Sequence, residues 1–133
     1  MLRYRSLFLA MVLGIVLPAN AVQAQRFSGQ PIYVQNNTDV TIWVAASYIP
    51  PGSSSYVNDG YWQVDPGQRV LIVNNNGVWI YLHAHTADGR EYTGPGSPIR
   101  RTIRSKTVNL FPVDTGTDYD PRVWTVYFSN INP

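Results

Sequence analysis

The chain has 133 residues, and because none of them is cysteine it can form no disulfide, thiolate metal site or thiol nucleophile. Its formal net charge is +2, but two of its ten basic residues, Arg3 and Arg5, lie at the N-terminus, and basic and acidic residues balance over the rest. A neutral domain exerts no long-range attraction on nucleic acid or anionic lipid, so we expect no nucleic-acid partner.

The N-terminal residues have the plan of a secretory signal peptide. Arg3 and Arg5 precede an uninterrupted apolar run over Leu7–Leu17, and Val22 and Ala24 then occupy the two positions that signal peptidase reads. Because a bilayer span needs about 20 apolar residues, the run is too short for a membrane anchor, which is the alternative interpretation. The sequence therefore predicts a signal peptide over residues 1–24 and one secreted or periplasmic domain over 25–133, without a membrane span.

The rest of the chain has the alternating pattern of β-strands. From Pro31 onward, β-branched and aromatic residues alternate with polar ones, and turn residues interrupt them at intervals of about 8–12 residues. This pattern predicts an all-β fold, a single antiparallel β-sandwich of immunoglobulin-like layout with about eight strands. The predicted strands are Ile32–Asn36, Val40–Tyr48, Tyr61–Asp65, Arg69–Asn74, Val78–Thr86, Glu91–Thr93, Thr107–Phe111 and Val123–Ser129.

Local patterns add three details to this fold. The continuous apolar run Val70–Val73 predicts a central strand that is covered on both faces. The dipeptide Asn76-Gly77 predicts a hairpin turn, because both residue types tolerate positive φ. The predicted core face of the last strand consists of Trp124, Val126 and Phe128.

Several short motifs occur in the same order in a known family. They are Tyr33-Val34-Gln35-Asn36-Asn37-Thr38, Trp43-Val44-Ala45, Gly60-Tyr61-Trp62-Gln63-Val64-Asp65-Pro66-Gly67 and Tyr92-Thr93-Gly94. Over about residues 32–94 the chain resembles a family of small exported bacterial β-sandwich domains of unknown function. The resemblance implies a fold and export, and it implies no activity. We interpret the Gly60–Gly67 block itself as core and turn chemistry, with Trp62 buried against the opposing sheet.

The chain has more aromatic residues than two packed sheets need, and some of them are candidates for a binding surface. Trp43, Trp79 and Tyr81 lie opposite the aliphatic positions of their strands. If the two strands are neighbours, these rings form an exposed platform suited to stacking on sugar rings. The alternative, which we favour, is that at least two of the three belong to the core. Polar contacts to a ligand would come from the adjoining turn, at Asn74, Asn75 and Asn76.

Two further groups have the residue types of metal sites. His83 and His85 share one face of a strand and could hold zinc or copper if a neighbouring strand supplied a third ligand; the alternative is a solvated face. Asp114, Asp118 and Asp120 alternate in a loop and could present carboxylates to calcium; the alternative is an acidic turn. No other cofactor is indicated.

Basic residues cluster at Arg100, Arg101, Arg104 and Lys106. The cluster could bind phosphate, sulfate or an acidic sugar. It could also be an edge strand whose charges discourage pairing with other edges, which we favour. As a third alternative, it could meet the acidic loop of a second copy and produce head-to-tail self-association.

No catalytic motif stands out, so the sequence does not indicate an enzyme. The leading hypothesis is an exported, non-enzymatic binding or interaction module with a glycan or a cell-envelope component as its partner. One alternative is a structural or self-assembling envelope protein. The other is an exported domain that binds calcium or a transition metal.

Overall fold

The computed structural model of the protein describes residues 29–116 and 120–132. Within these ranges no helix has the length and apolar character needed to cross a bilayer. The strands there are β1 (Gln30–Asn36), β2 (Ile42–Tyr48), β3 (Val57–Val64), β4 (Arg69–Asn75), β5 (Trp79–His85), β6 (Glu91–Tyr92), β7 (Ile99–Ile103), β8 (Lys106–Asp114), β9 (Arg122–Val126) and β10 (Ile131–Asn132), with a 3₁₀ turn at Phe128–Asn130.

The strands form two sheets packed as a sandwich, which confirms the predicted all-β fold. A small sheet has the strand order β4-β1-β9, and a large one has the order β10-β6-β5-β2-β3 with β8 paired to both β5 and β7. All eight predicted strands are present, and β7 and β10 are additional. The ladders are antiparallel except for β1 with β9, which run parallel.

The core follows the predicted alternation of side chains. The inward positions on β2 and β5 are fully buried, and they are Ile42, Val44, Ala46, Ile80, Leu82 and Ala84. Burying a side chain of the size of Ile or Leu contributes about 1.5–3 kcal/mol. Trp62 packs against this core but is half-buried, where burial was predicted. The Tyr92 ring meets the Trp124 ring edge-on with centroids 4.7 Å apart.

Three predicted details are wrong: the central position of β4, the core position of Phe128 and the hairpin turn at Asn76-Gly77. Strand β4 lies at an edge of the small sheet, and Leu71 is 48% exposed. The run is apolar because the register shifts opposite Ile32 and Tyr33, so that Ile72 and Val73 both become buried. Phe128 is exposed, because the last long strand ends at Val126 and the chain turns there.

The link Asn74–Gly77 is not a hairpin, because it connects the two sheets. Gly77 does not adopt a positive φ. The Asn75 side chain holds the link instead, since its Oδ1 accepts from the backbone N–H groups of Ile49 and Gly77, both at 3.2 Å. A side chain that bonds its own backbone thus replaces the turn that the dipeptide favours.

The β7–β8 hairpin covers the outer face of the large sheet, meaning the face that points away from the sandwich core. A second apolar cluster forms there, made of Ala45 from β2 and Ile103, Val108 and Leu110 from the hairpin. The hairpin therefore adds a partial third layer, under which residues of the outer face become buried.

Candidate functional site

The third layer leaves one end of the outer face open, and a bulge in β3 places a tyrosine there. Val44 pairs with Trp62 and Ala45 pairs with Gly60, so Tyr61 is the extra residue between two paired positions. Tyr61 consequently packs with the outer cluster, whereas Trp62 packs with the core. Gly60 fits because it lacks a Cβ, which would lie 3.0 Å from the Cβ of Ala45.

The two histidines share the outer face of β5, as predicted, but they differ in exposure. His83 is 1% exposed, because the hairpin lies over it, and its Nδ1 lies 3.2 Å from the carbonyl oxygen of Asn109. His85 is half-buried, and its Nδ1 lies 3.0 Å from Nε2 of His83.

These contacts fix the protons on both rings. A carbonyl oxygen only accepts, so His83 donates from Nδ1 to Asn109 and its neutral ring has an unprotonated Nε2. His85 must then donate from Nδ1 to His83. The Nε2 atom of His85 is left without a proton, and it is available to accept a hydrogen bond from a ligand.

Burial keeps both imidazoles neutral. Desolvation, followed by the nearby charge of His85, lowers the pKa of His83 to about 4. Desolvation and the charge of Lys106 lower the pKa of His85, and Glu91, its partner across β5 and β6, opposes them. The proton arrangement above therefore holds at neutral pH.

Two aromatic rings enclose His85. Trp43, which pairs with His85 across β2 and β5, stacks on the imidazole at 19° with centroids 5.9 Å apart. Tyr61 meets the imidazole edge-on at 81° with centroids 5.1 Å apart. Burial raises the pKa of Tyr61, and the Glu91 charge adds to this, so the phenol stays protonated.

An open cleft of about 490 Å³ lies over these rings. We call it the basic aromatic cleft. Its side chains are Trp43, Tyr61, His85, Arg104 and Lys106, and the turn residues Thr86, Ala87 and Gly89 complete its wall. Its volume lies within the range of small-molecule sites, which is about 300–1,000 Å³. A smaller depression of about 280 Å³ adjoins it and shares Trp43, Thr86 and Ala87.

The two cations of the cleft come from the tip of the β7–β8 hairpin. Arg104 donates from Nε to the carbonyl oxygen of Gly60, which anchors its guanidinium beside Tyr61. Within the described ranges neither Arg104 nor Lys106 forms an ion pair, and the two Nη groups of Arg104 make no hydrogen bond there. No carboxylate lines the cleft.

None of the three predicted platform rings belongs to the sandwich core, so the favoured core placement is wrong, and Tyr81 packs against the second apolar cluster instead. The three rings do not form one surface either. Strands β2 and β5 are neighbours, but Trp43 pairs with His85, six residues along the strand from Trp79. At about 3.3 Å per residue this separates Trp43 from Trp79 by about 20 Å. Trp79 is 44% exposed and forms a separate patch with Tyr56 and Tyr81, whose rings meet edge-on at 5.9 Å. We call these three residues the Trp79 patch.

Of the predicted asparagine contacts, two are accessible to a ligand. Asn74 and Asn76 are exposed, whereas Asn75 is 1% exposed. The Asn75 Nδ2 group donates to the carbonyl oxygen of Gly77 at 2.9 Å, and its Oδ1 accepts from the N–H of Ile49. Both polar atoms of the side chain are therefore hydrogen-bonded within the protein. Asn75 therefore has a structural role.

The predicted metal ligands are only partly brought together. In the described part of the chain no third His, Cys, Asp or Glu joins His83 and His85, so two of the three or more protein ligands of a zinc site are present. In the acidic loop, Asp118 lies outside the described residues. Asp114 and Asp120 are exposed, and Asp114 Oδ1 accepts from the N–H of Gly116 at 2.8 Å. Calcium binding by this loop stays a prediction.

The predicted basic cluster divides between two places. Arg100 and Arg101 lie on β7, which pairs only with β8 among the described strands, as expected of an edge strand. Arg104 and Lys106 enter the cleft instead. Self-association through the cluster and the acidic loop stays a prediction.

The sequence did not indicate Tyr61 as a site residue, nor that the cations would meet Trp43 and His85. No protein-family model matches this chain, and no curated protein matches it either. The family resemblance of residues 32–94 therefore stays a prediction.

Proposed function

We propose that the protein is an exported, non-enzymatic binding module that holds a glycan of the cell envelope in the basic aromatic cleft. The observation that carries the proposal is the stack of Trp43 on His85, with Tyr61 edge-on, inside a cleft of about 490 Å³. Flat aromatic faces bind the apolar faces of sugar rings. The unprotonated Nε2 of His85 can accept from a sugar hydroxyl, which gives polar contact beside the stacking surface.

Glycan-array screening followed by calorimetry on the strongest oligosaccharide tests the proposal. We expect Trp43→Ala to weaken binding at least tenfold, because it removes the indole ring that lines the cleft. The matched control is Trp79→Ala, which removes an exposed tryptophan about 20 Å away and should leave the affinity within twofold.

Two outcomes would contradict the proposal. If no glycan on the array bound, glycan binding would be refuted as the function. Binding that survives Trp43→Ala but is lost in Trp79→Ala would move the site to the Trp79 patch.

A further inference from the structure

We infer that the sugar bound in the basic aromatic cleft is anionic, with its charged group held by Arg104 and Lys106. This inference rests on the proposed function and names the chemical class of its ligand. The shared chemistry is a carboxylate or a phosphate on a sugar ring that stacks against Trp43.

The charge of the cleft is the first support. Arg104 and Lys106 line it without an ion-pair partner in the described part of the chain, and no carboxylate lines it with them. Glu91 is the acidic group that acts on His85 and Tyr61, but it lies outside the lining. Because the histidines are neutral, the lining has a net positive charge that attracts an anion.

The anchoring of Arg104 is the second support. Its Nε donates a hydrogen bond to the carbonyl oxygen of Gly60. This bond orients the planar guanidinium and leaves the two Nη groups for a ligand. Two parallel N–H donors match the two oxygens of a carboxylate or phosphate. A guanidinium that is held in place by the protein loses less entropy when it binds.

The basic aromatic cleft and the smaller depression beside it together offer room for more than one sugar ring. The smaller one shares Trp43 with the cleft, and its rim contains the ion pair between Arg90 and Asp88, with Nε to Oδ1 at 3.2 Å. An acidic ring in the cleft would leave the next ring of an oligosaccharide over this neutralised pair. We therefore choose trisaccharides as probes.

Calorimetry with trigalacturonate and with its methyl ester tests the inference, because esterification removes the charge of the carboxyl groups and leaves the sugar rings unchanged. We expect the acid to bind at least tenfold more tightly than the ester. Arg104→Gln and Lys106→Gln should each weaken binding of the acid at least fivefold and leave the ester within twofold. Arg101→Gln is the matched control, since it removes the same charge from an exposed position on β7 that does not line the cleft.

Competition separates the two sources of the anion. Displacement of trigalacturonate by glucuronate assigns a carboxylate and displacement by glucose 6-phosphate assigns a phosphate, and either result supports the inference. Displacement by neutral glucose at the same concentration would overturn it.

The failures of the two proposals are distinguishable. Equal affinities for acid and ester, both reduced by Trp43→Ala, would overturn the anionic ligand and leave glycan binding intact. The same holds if neither probe binds but a neutral glycan binds in a Trp43-dependent way. If Lys106→Gln, which removes no described hydrogen bond, leaves the affinity for the acid unchanged, the inference is also overturned. Absence of binding to any glycan would overturn both.

Discussion

The Nε2 atom of His83 lies 3.0 Å from the Nδ1 atom of His85, and this contact connects the buried third layer to the open cleft. On one side of it, the carbonyl oxygen of Asn109 holds the proton of His83. On the other side, His85 lies between Trp43 and Tyr61. The hairpin that covers His83 thereby also sets the hydrogen-bonding character of the cleft.

The first prediction concerns the tautomers of the two histidines. Because Asn109 provides only an acceptor, both rings should be neutral with the proton on Nδ1 at pH 7. Nitrogen-15 chemical shifts of the imidazoles measure this directly. A protonated Nε2 on either ring would contradict the proposed acceptor in the cleft.

The second prediction concerns acid stability. His83 has a pKa of about 4 in the folded protein, below its usual value of 6.5. The unfolded chain then binds more protons between these two pH values, so stability falls on acidification, by about 3 kcal/mol across the window. His83→Gln removes this titration.

Urea denaturation of the wild type and of His83→Gln at pH 8, 6.5, 5 and 4 measures the effect. The free energies of unfolding should converge as the pH falls, because only the wild type loses the stability that His83 gives above pH 6.5. A constant difference between the two proteins from pH 8 to pH 4 would show that His83 does not titrate in this window.

The third prediction separates the neighbouring asparagines. Asn75→Ala should lower the free energy of unfolding by about 2–4 kcal/mol, because it leaves the backbone N–H groups of Ile49 and Gly77 without their acceptor. Asn74→Ala is the matched control, and at an exposed position it should change stability by less than about 0.5 kcal/mol. Equal effects in chemical denaturation would refute the role assigned to Asn75.

The fourth prediction tests how closely the backbone of Gly60 approaches Ala45 beneath the β7–β8 hairpin. A Cβ on residue 60 would lie 3.0 Å from Cβ of Ala45 and 3.3 Å from Cγ2 of Ile103. Gly60→Ala should therefore destabilise the protein by about 1–3 kcal/mol. Ala45→Gly removes the closer contact, so the double variant should be more stable than the sum of the two single effects. Additive effects would mean that residues 45 and 60 do not meet.

Much of the sandwich could be predicted from the sequence, because alternation sorts residues by face. Ile42, Val44, Ile80 and Leu82 all occupy the core positions that their spacing indicates. The wrong predictions were those in which a local sequence pattern was overridden by contacts between distant parts of the chain. The Asn76-Gly77 signal was overridden by the side chain of Asn75, and the apolar run of β4 reflected a bulge at a sheet edge.

The site was less predictable, because it depends on register and on a third layer. Alternation placed Trp43 and Trp79 on one face, but only the pairing of Trp43 with His85 shows that they are far apart. The bulge that turns Tyr61 outward depends on the pairing of Gly60 with Ala45. Arg104 reaches the cleft because the β7–β8 hairpin folds back over β2, a contact between residues distant in sequence.

The central claim is that a ligand binds against Trp43, and the indole N–H resonances of the four tryptophans test it most directly. During titration with the oligosaccharide that gives the strongest array signal, the account predicts that the Trp43 resonance shifts in proportion to saturation while that of Trp79 stays in place. A saturable shift of Trp79 with an unmoved Trp43 would contradict it.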